Sequence, residues 1–194
     1  MNSPFHNRTT TTLAALIIFT AVSMSACGDS DDDSPDSSTT AQELTCEAAQ
    51  MEDDALLDVR LGEMGDPANW PMFPPDAVVA STYLRLQETE GSEQAFGEVM
   101  GPITDALMAP APGLMGLSFM SSEGCNTVRT LSVWESEEAM MDFVLGQAHL
   151  AAMGRVAEVS RGGSITDDWT VSRIQQPRWD TVVAGFADHE GPVY

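Results

Sequence analysis

Lysine is missing from this chain. All eight of its basic residues are arginines, set against thirty Asp and Glu, and the formal net charge is −22. Binding a phosphate backbone requires clustered cations, so nucleic-acid partners are excluded. Histidine is nearly as scarce: His6, His149 and His189 are the whole complement. The chain also lacks GxGxxG, Walker A, HExxH, GxSxG and CxxC signatures, so a Ser-His-Asp triad would have to be built on His149 and no metal centre is expected. No apolar run reaches the roughly 20 residues that span a bilayer. The longest, Leu13 to Val22 (LAALIIFTAV), has ten.

What is present begins with that run. Arg8 lies upstream of it and small residues follow, the layout of an export signal. Met24-Ser25-Ala26-Cys27 resembles the bacterial lipobox, with Met24 where Leu is usual. The resemblance implies acylation of Cys27 and removal of residues 1–26. Three acyl chains would make a lasting anchor where one binds only marginally. Cleavage as an ordinary secretory site at Ser23-Met24-Ser25 is the competing reading. Gly28 rather than Asp follows the cysteine, which by the same resemblance directs the protein to the outer membrane or the periplasmic face of the envelope.

Residues 28–42 (GDSDDDSPDSSTTAQ) carry five Asp and no large apolar side chain. They cannot bury enough surface to offset chain entropy, so 27–42 is expected to be an acidic tether. The remaining stretch of roughly 150 residues suits one domain. Cys46 and Cys125 fall in it, in a compartment where disulfides persist. A bridge between them would pin the segment around Cys46 onto the domain; two buried thiols are the alternative.

Apolar positions Ala49, Met51, Ala55, Leu56, Leu57 and Val59 predict a short amphipathic helix between Cys46 and Arg60. The Pro-rich stretch Asn69 to Pro75 stops it, and 43–76 reads as a helical extension. Val78 to Leu86 is β-rich, and Ser92 to Met108 has helical spacing at Phe96, Val99, Met100, Ile103 and Leu107, ended by Pro110 and Pro112. Leu114 to Met120 and Thr127 to Trp134 form a hairpin about a Ser121-Ser122-Glu123-Gly124 turn. Ser136 is placed to cap a second helix running through Met140, Phe143, Val144, Leu150 and Met153. Asp168 to Ile174 supplies the last strand, with Asp167-Asp168 as a turn before it. The order β-α-β-β-α-β predicts a ferredoxin-like α+β domain over 77–175, its antiparallel sheet carrying both helices on one face. Residues 176–194, with Trp179 and Phe186, are expected to pack on it.

Thr130 to Met140 (TLSVWESEEAM), followed by Phe143 and Ala148-His149, resembles the third strand and second helix of the dimeric α+β barrel family that includes antibiotic-biosynthesis-type monooxygenases. The resemblance implies a homodimer whose two sheets form one barrel, with a pocket for a small hydrophobic or aromatic ligand between each sheet and its helices. It also implies an oxygenase acting on an aromatic or quinone-like substrate, or a non-catalytic ligand-binding relative, with no cofactor as the ordinary case and haem as a possibility. His149 is the leading candidate for acid/base chemistry and Trp134 for a stacking wall. Met153 shares a helix face with His149 at i, i+4 and completes the pair a haem would need. The competing reading makes all three packing residues. Tyr83 and Arg85 share a sheet face, with Arg129 and Arg173 as further cations for an anionic ligand, against simple pairing with the abundant carboxylates.

Overall fold

The computed structural model describes residues 46–174, 176–190 and 193, so the export signal, Cys27 and the tether lie outside the described residues. The first strand, β1 (Leu56–Leu57), precedes two 3-10 turns, Val59–Gly65 and Pro67–Asn69. Then follow β2 (Val78–Arg85), α1 (Ser92–Met108), β3 (Leu114–Ser122) and β4 (Thr127–Trp134). The chain continues through α2 (Glu137–Val144), α3 (Gln147–Met153), α4 (Val156–Val159), β5 (Ile165–Thr170), α5 (Val171–Ile174) and α6 (Trp179–Gly185). The sheet order is β1-β3-β4-β2-β5, with every neighbouring pair antiparallel. Without β1 this is the ferredoxin-like arrangement, in which the two central strands are the first and third of the β-α-β-β-α-β unit.

Strand alternation divides the core into two layers. Val78, Ala80, Leu84, Val128 and Trp134 meet α1, α2 and the α3–α4 segment on one face. Val79, Tyr83, Leu131 and Val133 face the other way. There they are covered by Trp70 and Phe73 from the N-terminal segment and by Trp179, Val182, Val183 and Phe186 from the C-terminal one. Phe186 meets Trp169 of β5 edge-on, with ring centroids 5.5 Å apart. The sheet face that the family resemblance would give to a partner's sheet is therefore filled by the chain's own ends.

Three expectations are corrected. No α-helix forms between Cys46 and Arg60: the segment makes turns, then β1 pairs with β3 through Leu56–Ser121 and Leu57–Met120. Its apolar residues fit against a flat sheet rather than along a helical stripe, because buried Arg129 captures its backbone carbonyls. Arg129 donates from Nη1 to Ala48 O (2.9 Å) and from Nη2 to Glu47 O (3.1 Å) and Gln50 O (2.8 Å). The last strand begins at Ile165, not Asp168, and Val171–Ile174 turns into helix; Asp167 and Asp168 lie inside the strand. Gly162 and Gly163, both at positive φ, complete the turn early enough for Ile165 and Trp169 to reach the core. Finally, the second helix does not run unbroken to Met153. α2 stops at Val144 and α3 starts at Gln147.

Other expectations hold. α1 spans Ser92–Met108. Ser136 caps α2 by accepting from Ala139 N–H at 3.2 Å, with Glu137 and Glu138 in the first turn where the helix dipole favours them. Cys46 and Cys125 are bridged, their Cα atoms 5.4 Å apart. Among the described residues no helix is long and apolar enough to cross a membrane.

Candidate functional site

Between the sheet and its helices lies a cavity of about 160 Å³, lined by β2, β4, α1, α2, α3 and the start of β5. Its walls are mostly aliphatic, with Val99, Ile103, Leu117, Met140 and Ala152 among them. Thr82, Thr130 and Ser132 give hydroxyls on the sheet side. Exposed Thr166 and Met153 also line it, so the space reaches the surface between β5 and α3. An apolar cavity of about 150 Å³ accepts benzene, whereas drug-sized ligands occupy roughly 300–1,000 Å³. One aromatic ring fits here.

His149 is the one ionisable side chain in this wall. Burial pushes its pKa below the ordinary imidazole value, opposed by a hydrogen bond to the Val144 backbone, so the ring is neutral at pH 7. Its Nδ1 is buried and has no hydrogen-bond partner. An unsatisfied buried polar atom costs about 1–3 kcal/mol, a cost that a ligand hydroxyl could remove. Ring contacts join the two sequence candidates: Trp134 to Phe143 at 5.3 Å and Phe143 to His149 at 5.5 Å. Trp134 is fully buried, and its indole N–H donates to Ser132 Oγ at 2.9 Å.

The break between α2 and α3 makes this grouping. Phe143 and His149 are six positions apart, which on one straight helix would set them about 240° apart around the axis. Gly146 allows the turn: a Cβ there would lie 2.9 Å from the Phe143 carbonyl oxygen. With the helix redirected, His149 and Ala152 reach the cavity.

Haem is not accommodated. The cavity is far smaller than a porphyrin requires, the His149 ring is packed against Phe143, and Met153, although it borders the space, is 40% exposed. No group of three or more His, Cys, Asp or Glu suited to a metal occurs among the described residues.

The remaining sequence candidates lie on the opposite sheet face. Arg129 is 1% exposed, its Nε donates to Glu52 Oε2 at 2.8 Å, and its guanidinium carbon sits 4.3 Å from the centre of the Tyr83 ring. It is occupied internally and takes no anionic ligand. Arg173 is exposed on α5, away from Arg129's buried network. Sequence reading missed Glu52, the partner of Arg129, because one carboxylate among thirty carries no local signal. It also missed the three hydroxyls on the sheet side of the cavity, whose strand parity marked them only as helix-facing.

A second depression of about 410 Å³ lies behind Trp134 and Phe143, bordered by Pro110, Pro112, Glu135, Glu138 and Asp142. It is open and acidic and shares only its aromatic wall with the first.

These elements have counterparts in known proteins. Residues 81–155 match the antibiotic biosynthesis monooxygenase family. The matched segment runs from β2 to the start of α4 and so holds most of the cavity wall, His149 and Trp134 included. It contains neither the N-terminal nor the C-terminal segment that covers the opposite sheet face. Similar solved structures include SnoaB, a cofactor-independent oxygenase from Streptomyces nogalater, at 17% identity over 49% of this chain and 92% of that one, with a TM-score of 0.39. Rv0793 from Mycobacterium tuberculosis is 11% identical over 48% and 93%, with a TM-score of 0.43. A conserved protein from Methanosarcina mazei is 8% identical over 50% and 93%, also at 0.43. No curated protein matches the chain.

Proposed function

We propose that this chain is an envelope-anchored protein whose cavity binds a single-ring aromatic or quinol-type molecule and promotes its oxygenation without a cofactor. The carrying observation is the unpartnered Nδ1 of neutral His149 in an otherwise apolar, ring-sized space. In this reading the imidazole accepts the proton of an acidic ring C–H or O–H, and Thr82, Thr130 or Ser132 orient the substrate oxygen. The resulting anion is electron-rich enough to reduce dioxygen directly. For a ring methylene the balance is CH2 + O2 → C=O + H2O, with the substrate as sole reductant. The family match over residues 81–155 supports this class of chemistry.

The test is oxygen uptake with dihydroxybenzenes and small quinols, alongside calorimetric binding. His149→Gln should lower turnover by about 10²–10⁴-fold, the usual worth of a positioned base, while affinity changes only a few-fold. Turnover of the native protein should also fall as pH drops through the depressed His149 pKa, because imidazolium has no lone pair to offer. Unchanged turnover in the variant removes His149 as the base; binding with no turnover by any substrate makes the protein a carrier.

Anchoring is part of the same proposal and rests on the lipobox-like Met24 to Cys27 and the apolar run before it. Cys27→Ala should move the protein from the membrane fraction to the soluble fraction and abolish palmitate labelling. Labelling that persists in the variant would sink the assignment. The functional unit in this reading is a single chain, because sheet-to-sheet pairing of two copies would have to expel α6 and the Trp70–Phe73 segment.

A further inference from the structure

Arg85, at the end of β2, stands apart from the other arginines. Arg60 pairs with Asp58, Arg129 with Glu52, Arg155 with Glu98 and Glu158, and Arg161 with Glu88. Arg173 and Arg178 are exposed. Arg85 alone, among the described residues, is partly buried without a carboxylate, and its Nε is buried with no hydrogen-bond partner. Guanidinium cannot shed its charge, and buried charges are ordinarily paired. In a chain with thirty Asp and Glu, the lack of a carboxylate here is a feature to be explained.

The surrounding loop is shaped around this side chain. Gly162 and Gly163 adopt φ of 90° and 74°, and a Cβ on Gly163 would lie 2.7 Å from Arg85 Nη1. Ser164 Oγ accepts from Arg85 N–H at 2.9 Å and lies 2.8 Å from Ser160 Oγ. The Arg85 carbonyl accepts from Arg161 N–H at 3.0 Å. The Arg161 guanidinium donates to Cys125 O at 2.7 Å, which places the cluster beside the Cys46–Cys125 bridge, where the N-terminal segment joins the sheet.

We infer that Arg85, with the Gly162–Gly163 turn, forms a binding site for a phosphate-type oxyanion. The geometry that suits such a ligand is the guanidinium fork, whose parallel N–H groups match two oxygens of one phosphate. The site lies on the sheet face opposite to His149 and does not depend on the cavity's chemistry.

Inorganic phosphate titrated into the purified full chain at low ionic strength, followed by calorimetry or amide chemical shifts, should show one saturable site. Arg85→Gln should weaken it by about tenfold or more, the loss of one charge-assisted bidentate contact. Arg85→Lys should retain part of the affinity, and Arg173→Gln should change nothing; thermal melts check that each variant is folded. No saturable binding, or equal loss in the Arg85 and Arg173 variants, overturns the site. A parallel arm uses the Cys27→Ala chain with phosphatidylcholine vesicles, with and without phosphatidylglycerol. Arg85-dependent binding to the anionic vesicles as well as to phosphate assigns the ligand to lipid head groups. Phosphate binding without vesicle binding assigns it to a free phosphate, and vesicle binding without phosphate binding overturns the site.

Discussion

Glu52→Ala should destabilise the protein by about 3–5 kcal/mol, read as a lower midpoint in urea at unchanged slope. Glu52 and Arg129 are each 1% exposed in their side chains and 2.8 Å apart. Removing the carboxylate strands a guanidinium that can neither ionise away nor reach water. It also removes the acceptor of Thr127 Oγ1 at 2.8 Å. Arg129 holds the carbonyls of Glu47, Ala48 and Gln50, so its displacement should loosen the whole segment beside Cys46. The disulfide then becomes the remaining covalent tie. With a sequence separation of 79, it contributes about 4 kcal/mol in the chain-entropy account. Because both features secure the same segment, losing the two together should cost other than the sum of the single losses. Replacing Glu52 and Arg129 jointly by apolar residues should cost far less than Glu52→Ala alone. A loss below about 1 kcal/mol for Glu52→Ala would show that the pair does not hold the segment.

Trp179→Ala should cost a similar amount, about 3–5 kcal/mol, and should also change the association state. The indole is 8% exposed in the layer over the sheet and donates to Ser118 Oγ at 3.1 Å. The same hydroxyl donates to Gly65 O at 2.5 Å, so one serine ties both terminal segments to β3. Without the indole, the apolar surface around Val79, Leu131 and Val133 loses its cover. Light scattering after size exclusion should give the native protein the mass of one chain and the variant a mass that rises with concentration. A native protein that is already a dimer, with Trp179→Ala leaving its mass unchanged, would overturn the single-chain reading.

The βαββαβ core was largely legible because its signals are local. α1 has apolar spacing bounded by Pro110, β4 alternates cleanly, and Ser136 announces α2. The errors came where a distant partner overrode the local pattern. The residues around Met51 and Ala55 have plausible helical spacing, yet Arg129 bonds the adjacent carbonyls from 79 to 82 positions away. Gly146 offers a weak break signal that a strong apolar periodicity on both sides concealed. In the candidate site, His149 and Trp134 could be named from residue type, but their link through Phe143 required the redirected helix.

The sequence by itself determined the excess of carboxylates that excludes nucleic acid, the alternation of strands and helices, and the residues able to do chemistry, since composition, periodicity and capping act over a few positions. Only the tertiary structure decided that the cavity is one ring in size, that His149 faces it with a nitrogen unpartnered, and that the far side of the sheet is closed by the chain's own ends. These depend on which side chains meet across the fold, and burial and pairing between residues far apart in the chain leave no mark on local sequence pattern.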